Sequence, residues 1–247
     1  MKNMTTKLSF AAALTLTLAT TGAFAQDAAK PDSEVSFNAA VTTEYRYRGI
    51  AQTRMKPAVQ GGVDYVHNPS GFYVGAWGST IKWIKDVGGD ADVELDVYGG
   101  KRGAINDVVS YDVGGLYYWY PSNKLNPSAN TFEVYGQVSA GPFYFKYSHS
   151  TTNLFGTLDS KNSKYVDIGA NIELGEGYIL NLHGGRQLVA NNGAYSYNDY
   201  KIGVTKDFGF ATVSVAAIGA DTDAYVSPVG NRNLGSSRAV LTLSKTF

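Results

Sequence analysis

The sequence predicts an all-β fold, a closed antiparallel transmembrane β-barrel of about 12 strands. Three observations predict it. Side-chain polarity alternates with a period of two through twelve segments of the chain. The connections between segments are alternately short and long, and the aromatic residues gather near segment ends.

Composition narrows the field first. Charged residues are only 17% of the 247, against about 25% in a soluble domain. Lys+Arg and Asp+Glu balance at 21 each with no basic stripe, which excludes an ordinary nucleic-acid binder. The absence of Cys removes disulfide scaffolds, thiolate zinc sites, iron–sulfur clusters and thiol nucleophiles together.

Residues 1–25 read as a signal peptide. Lys2 and Lys7 precede the apolar run Leu8 to Ala19, and Ala23-Phe24-Ala25 supplies a small-x-small cleavage site, placing the mature start at Gln26. That run falls short of the ~20 residues of a spanning helix, and no second long apolar run follows, so a helical membrane bundle is excluded. Its removal takes away two Lys and no acid, leaving 19 bases against 21 acids and a mature charge of −2. Residues 26–33 form a short linker, and 34–247 the barrel domain.

The alternating segments are 34–48, 58–67, 71–84, 90–101, 108–120, 131–140, 143–152, 164–174, 178–187, 198–207, 210–221 and 237–247. In the first, Val35, Phe37, Ala39, Val41, Tyr45 and Tyr47 share one face, and Ser36, Asn38, Glu44, Arg46 and Arg48 the other. Val93, Leu95 and Val97 oppose Asp92, Glu94 and Asp96; Phe132, Val134 and Val138 oppose Glu133, Tyr135 and Gln137. Val166, Ile168, Ala170, Ile172 and Leu174 likewise oppose Asp167, Gly169, Asn171 and Glu173.

Alternation fits a soluble sandwich as well as a barrel, so the connections decide. Joins such as Gly141-Pro142 and Gly175-Glu176-Gly177 are short, whereas those from Gly49 to Pro57, Pro121 to Asn130, Thr152 to Ser163, Leu188 to Tyr197 and Thr222 to Ser236 are long and polar. Sorting short turns to one end and long loops to the other is the layout of an outer-membrane barrel. Most segments also fit the ~9–11 residues of a tilted spanning strand rather than the five or six of a sandwich strand. The aromatics Tyr117 to Tyr120, Phe143 to Phe145, Trp77, Trp83, Tyr195, Tyr197 and Phe247 sit near segment ends, as in an interfacial girdle.

In such a barrel the polar phase faces the lumen. It carries Glu44, Asp64, Asp92, Glu94, Asp96, Asp112, Glu133, Asp167, Glu173 and Asp199 against Arg46, Arg48, Lys146, Lys201 and Arg238, ten acids to five bases. The pore-lining candidates are Glu44, Arg46, Arg48, Asp64, Asp92, Glu94, Asp96, Asp112, Glu133, Lys146 and Asp167. Asp92, Glu94 and Asp96 would form an acidic stripe on one strand. Arg46 and Arg48 on the first strand would either set a transverse field against it or form salt bridges that hold a narrow barrel together. An acidic lumen concentrates cations, so weak cation selectivity is expected.

His67 lies in a turn; His149, between Ser148 and Ser150, and His183 have no nucleophile-elbow spacing around them. No catalytic residue, cofactor or metal site is expected.

The stretch Tyr45-Arg46-Tyr47-Arg48-Gly49-Ile50-Ala51-Gln52, then Lys56-Pro57-Ala58-Val59-Gln60-Gly61, then Gly71-Phe72-Tyr73-Val74-Gly75-Ala76-Trp77-Gly78-Ser79 resembles the opening of the TorF family of porins. Asp92 to Gly100 is similar to that family's next block. The resemblance implies an outer-membrane barrel with a pore role, and no catalytic residues. The terminal Phe247 is similar to the aromatic end that the barrel-assembly machinery reads on outer-membrane proteins. The expected function is passive diffusion of small hydrophilic solutes or ions across the outer membrane, with its lipids as partner and no nucleic acid. A structural or adhesion barrel without an open pore and a barrel hydrolase are the alternatives.

Overall fold

The computed structural model describes residues 31–247. The signal peptide and most of the 26–33 linker lie outside them. Asn68 pins the linker's end, donating from its side-chain amide to the Pro31 carbonyl and from its backbone to Asp32.

In chain order the elements are β1 (Ser33–Thr42), β2 (Arg46–Tyr47), β3 (Ile50–Ala51), β4 (Ala58–His67), β5 (Phe72–Thr80), a four-residue helix α1 (Trp83–Asp86), β6 (Val93–Ala104), β7 (Val109–Trp119), β8 (Thr131–Ala140), β9 (Phe143–Ser150), β10 (Lys164–Gly175), β11 (Tyr178–Leu188), a 3₁₀ turn (Gly193–Tyr195), β12 (Tyr197–Asp207), β13 (Thr212–Ala220), β14 (Val226–Ser227), β15 (Arg232–Asn233) and β16 (Arg238–Thr246). Twelve of the strands form one closed antiparallel barrel, and β2–β3 and β14–β15 are two-stranded ribbons within loops. Closure is made by β1 and β16, in register from Asn38↔Thr246 to Thr42↔Thr242. On its other edge β1 pairs β4 along its whole length, from Ser33↔His67 to Thr42↔Ala58. Every barrel strand therefore has a hydrogen-bonded neighbour on both sides, the condition for strands in hydrocarbon.

The barrel strands run from 8 residues in β9 to 12 in β6 and β10, long enough to cross a bilayer when tilted. Their faces sort as the alternation predicts. Val35, Phe37, Val97, Val138, Ile168, Leu241 and Leu243 are exposed on the outside, while Glu133, Tyr135 and Gln137 are buried inside. An apolar outer band over a polar interior is a lipid-facing surface.

Three expectations need correction. The first segment does not run to residue 48: β1 stops at Thr42, and 43–57 turns inward, carrying β2 and β3. The segment 71–84 ends as a strand at Thr80, and α1 follows. The aromatic set divides. Tyr117, Trp119, Phe143, Phe145, Tyr195 and Phe247 are exposed, but Trp77, Tyr118, Tyr120 and Tyr197 are buried within the barrel, because their strand phase points them inward.

Ile168, near the middle of β10, is 56% exposed on the outer face. Ile168→Lys is expected to destabilise the lipid-embedded barrel by about 2–4 kcal/mol. Urea unfolding in bilayers measures it; an unchanged midpoint would place this face away from lipid.

Candidate functional site

The inward segment 43–57 organises the interior. It enters at the long-loop end, and its centre is the ribbon β2–β3, paired Arg46↔Ala51 and Tyr47↔Ile50 around the two-residue turn Arg48-Gly49. Both turn residues have positive φ, +45° and +78°, as a type I′ hairpin turn requires. Glycine is dictated twice at position 49. A Cβ there would come within 2.6 Å of the Asp199 Cβ and 2.8 Å of the Gly219 carbonyl oxygen.

Side chains anchor this ribbon to the wall in several directions. The Arg48 guanidinium forks onto Glu133 of β8, with Nη1 to Oε1 at 3.0 Å and Nη2 to Oε2 at 2.6 Å. Its Nη1 also donates to Gln187 of β11 at 2.8 Å, and its Cζ lies 4.1 Å from the centroid of the Tyr165 ring of β10 and 4.8 Å from that of Tyr47. A buried guanidinium is tolerable only when paired in this way. Tyr45 donates to Glu94 at 2.7 Å, and the hydroxyls of Tyr47 and Tyr118 meet at 2.7 Å. Arg46 donates to the Gly49 carbonyl at 2.8 Å and pairs with Glu44 at 3.3 Å; Glu44 also receives Arg238. Farther along, Arg54 donates to Asp86 at 2.7 Å.

This ribbon lies between two cavities. Below it, a cavity of about 190 Å³ reaches toward Ser244 and Thr246 at the short-turn end. Among the described residues its wall carries five acids (Glu44, Asp96, Glu133, Asp167, Asp199), five bases (Arg46, Arg48, Lys146, Lys201, Lys245) and His183. Above it, a vestibule of about 490 Å³ is walled by aromatic and aliphatic side chains from the long loops. Tyr47 lines both.

Of the expected pore-lining residues, Glu44, Arg46, Arg48, Asp96, Glu133, Lys146 and Asp167 meet at the lower cavity. Arg46 and Arg48 reach it from the ribbon and not from the first strand. Glu94 is buried against Tyr45. Asp64 accepts from Tyr98 and Asp112 from Tyr73, each at 2.6 Å. Asp92 departs from expectation. It precedes β6 in the long loop, where Lys82 holds it at 2.6 Å and Lys85 at 2.5 Å, so the acidic stripe is two residues long.

His183, which lacks nucleophile-elbow spacing in the sequence, and Tyr165 were not among the expected pore-lining residues. His183 is clamped between Asp167, 2.8 Å from Nδ1, and Asp199, 2.6 Å from Nε2. Gly185 leaves room for this cluster, since a Cβ there would strike the Tyr165 hydroxyl and the Asp199 carboxylate. With both ring nitrogens held by carboxylates, His183 is placed to knit β10, β11 and β12 together rather than to activate a serine. The signal was in the polar phase, where tyrosines recur beside the acids.

A closed twelve-stranded barrel with an apolar outside, a charged lumen and an inward-folded segment defines a porin-type architecture. A family model described as "Bacterial protein of unknown function (Gcw_chp)" matches residues 25–247, and the chain belongs to that family. No curated protein matches it in sequence. Among solved structures, the KdgM porin superposes with a TM-score of 0.54 at 7% identity, over 87% of this chain and 98% of that one. The NanC porin gives 0.54 at 10% identity, over 86% and 98%. At such identities the likeness is one of fold.

Arg48→Ala strips the buried Glu133 of its cation and is expected to cost on the order of 3–5 kcal/mol. The double variant Arg48→Ala/Glu133→Gln should recover part of that loss, and a simple sum of the single effects in a urea double-mutant cycle would refute the coupling. For Asp92, the Lys82 ammonium first and Lys85 second lower the carboxyl to about 2. The clip is thus complete above about 4, the unfolded carboxyl's range, and is lost as pH falls through 2. An NMR titration of Asp92 checks this: a wild-type midpoint near 4, unaltered in Lys82→Ala/Lys85→Ala, would show that the clip does not form.

Proposed function

We propose that the protein is an outer-membrane channel for passive diffusion of small hydrophilic solutes or ions, constricted by residues 43–57. The observation that carries this reading is the charged cavity beneath the ribbon, enclosed by a sealed barrel whose outside is apolar. The porin fold of KdgM and NanC supports it. So does the resemblance of residues 45–79 to the TorF family of porins, because the motif Tyr45 to Gln52 is the segment that crosses the lumen. Both ends of the barrel chain and the short turns would face the periplasm, and the vestibule the exterior. Export by residues 1–25 and insertion by the barrel-assembly machinery complete this reading.

Weak cation preference belongs to the same proposal. Acids and bases balance at the cavity wall, but Asp64 and Glu94 add carboxylates held by tyrosine hydroxyls, while Asp112, held by Tyr73, is faced by Lys146 and Arg102. Asp96 Oδ1 is buried without a hydrogen-bond partner among the described residues. An excess of acids over bases along the lumen draws cations into a low-dielectric passage. The hydrolase alternative has no comparable support, and a purely structural barrel is separated by the following measurement.

In a planar bilayer the purified protein is expected to show discrete conductance steps, with a reversal potential in a salt gradient of cation-preferring sign. Tyr47→Ala/Arg48→Ala should enlarge the steps by removing the side chains that span the lumen. Electrical silence of a correctly folded barrel would sink the channel reading, and an anion-preferring potential the selectivity.

A further inference from the structure

The lower cavity is charged, but the vestibule above the ribbon differs in kind. One arc of its rim presents Trp83, Tyr120 and Phe155, and a separate arc Tyr195, Tyr197 and Tyr225. Within each arc the rings brace one another edge to face. Trp83 and Tyr120 stand 5.2 Å apart, Tyr197 and Tyr225 5.3 Å, and Tyr195 and Tyr225 6.0 Å. The first arc is carried by α1, the residue after β7 and the β9–β10 loop; the second by the β11–β12 loop, the start of β12 and the β13–β16 loop. Trp83 and Tyr120 stand far from the second arc in the strand order, while the β9–β10 and β11–β12 loops adjoin, with Asn191 and Asn192 donating to the Asp159 and Leu158 carbonyls and closing one side of the slot between the arcs. The floor is Tyr47 with Ile50.

Charge is nearly absent from this wall. Asp86 is its one ionisable carboxylate among the described lining residues, and Arg54 neutralises it. Polar capacity is present but uncommitted. The side chains of Asn126 and Thr157 line the slot without a hydrogen bond among the described residues. A volume of about 490 Å³ falls within the ~300–1,000 Å³ of small-molecule sites, which are mostly apolar and aromatic with a few polar groups to fix orientation.

We propose that this vestibule is a binding site for a neutral saccharide. A pyranose ring presents C–H groups on its faces, which suit aromatic rings held in place beforehand, and hydroxyls round its edge, which suit amide and hydroxyl groups. A carboxylated sugar would enter a wall without a free cation and bind less well. A wholly apolar ring would leave the polar groups unused. The proposal deepens the channel reading, on which it rests only for the side from which ligand enters.

The test uses the full-length purified protein in detergent and in planar bilayers, with maltose as probe, galacturonate as the charged arm and benzyl alcohol as the aromatic arm. In detergent, Trp77→Phe/Trp119→Phe leaves Trp83 as the sole indole, and maltose is expected to change its emission saturably. Adding Tyr195→Ala/Tyr225→Ala, on loop residues outside the strand ladders, should raise the half-saturation concentration at least about tenfold, equivalent to ~1.4 kcal/mol. In bilayers, maltose added on the long-loop side should reduce ionic current, and galacturonate should act at least about tenfold more weakly. Equal or stronger action by galacturonate or benzyl alcohol, or an indole blind to maltose, overturns the proposal. Conduction in salt with no response to maltose removes the site and leaves the channel; a maltose response without conduction removes the channel and leaves the site. Should the tyrosine variant fail to show the heat-modifiable migration of a folded barrel, the three-probe comparison on the Trp83-only protein decides alone.

Discussion

Pairing of the first strand with the last is the interaction on which the other features depend. Five residue pairs join β1 to β16. Without them the backbone N–H and C=O groups of two edges would face hydrocarbon, at several kcal/mol for each unsatisfied group. Closure also fixes the fate of every side chain. Once the sheet is sealed, the strand period sends alternate residues to lipid and to lumen, so each Asp, Glu, Lys and Arg of the polar phase must find company inside a tube. The interior network follows from the seal.

Twelve strands set how that company is arranged. Eight enclose little more than packed side chains, and sixteen leave an open water channel. This barrel fills the intermediate width by two devices. Long polar rings lie over glycines of neighbouring strands: a Cβ at Gly75 would come within 2.5 Å of the Tyr98 ring, and one at Gly114 or Gly169 within 2.6 or 2.5 Å of the hydroxyls of Tyr135 or Tyr144. The 28 Gly and 18 Tyr of the composition are in part this pairing. The second device is the inward ribbon, which occupies volume that wall side chains do not reach.

The barrel was legible from sequence because period-two alternation is a local signal repeated in every strand, and the turn residues separate one strand from the next. The lumen was legible only by phase. Glu133, Lys146 and Asp167 face inward because their strands continue unbroken on either side. Arg46 and Arg48 were misplaced because the inserted ribbon is itself extended, so its alternation runs on from β1 without a mark at Thr42. Its turn is written Arg-Gly, with arginine in a left-handed conformation that asparagine or aspartate would have advertised more plainly. Asp92 was misplaced for the reverse reason. It keeps the phase of Glu94 and Asp96, but Lys82 and Lys85 hold it in the loop, and no periodicity reports a tertiary ion pair.

The ribbon's anchoring bears on how anything crosses. To move it aside, Arg48 would have to leave Glu133, Gln187 and Tyr165 at once, and Glu133 would stay buried without its guanidinium, beside the Tyr118 hydroxyl 3.3 Å away. Breaking a buried pair in this manner costs on the order of 3–5 kcal/mol. Thermal displacement would then populate the open arrangement at well under about one per cent, since each 1.4 kcal/mol is a factor of ten. A fixed partition is therefore the lower-energy arrangement of the ribbon. On the channel proposed above, a solute would meet the aromatic slot first and the charged cavity second, sorted on shape and then on charge.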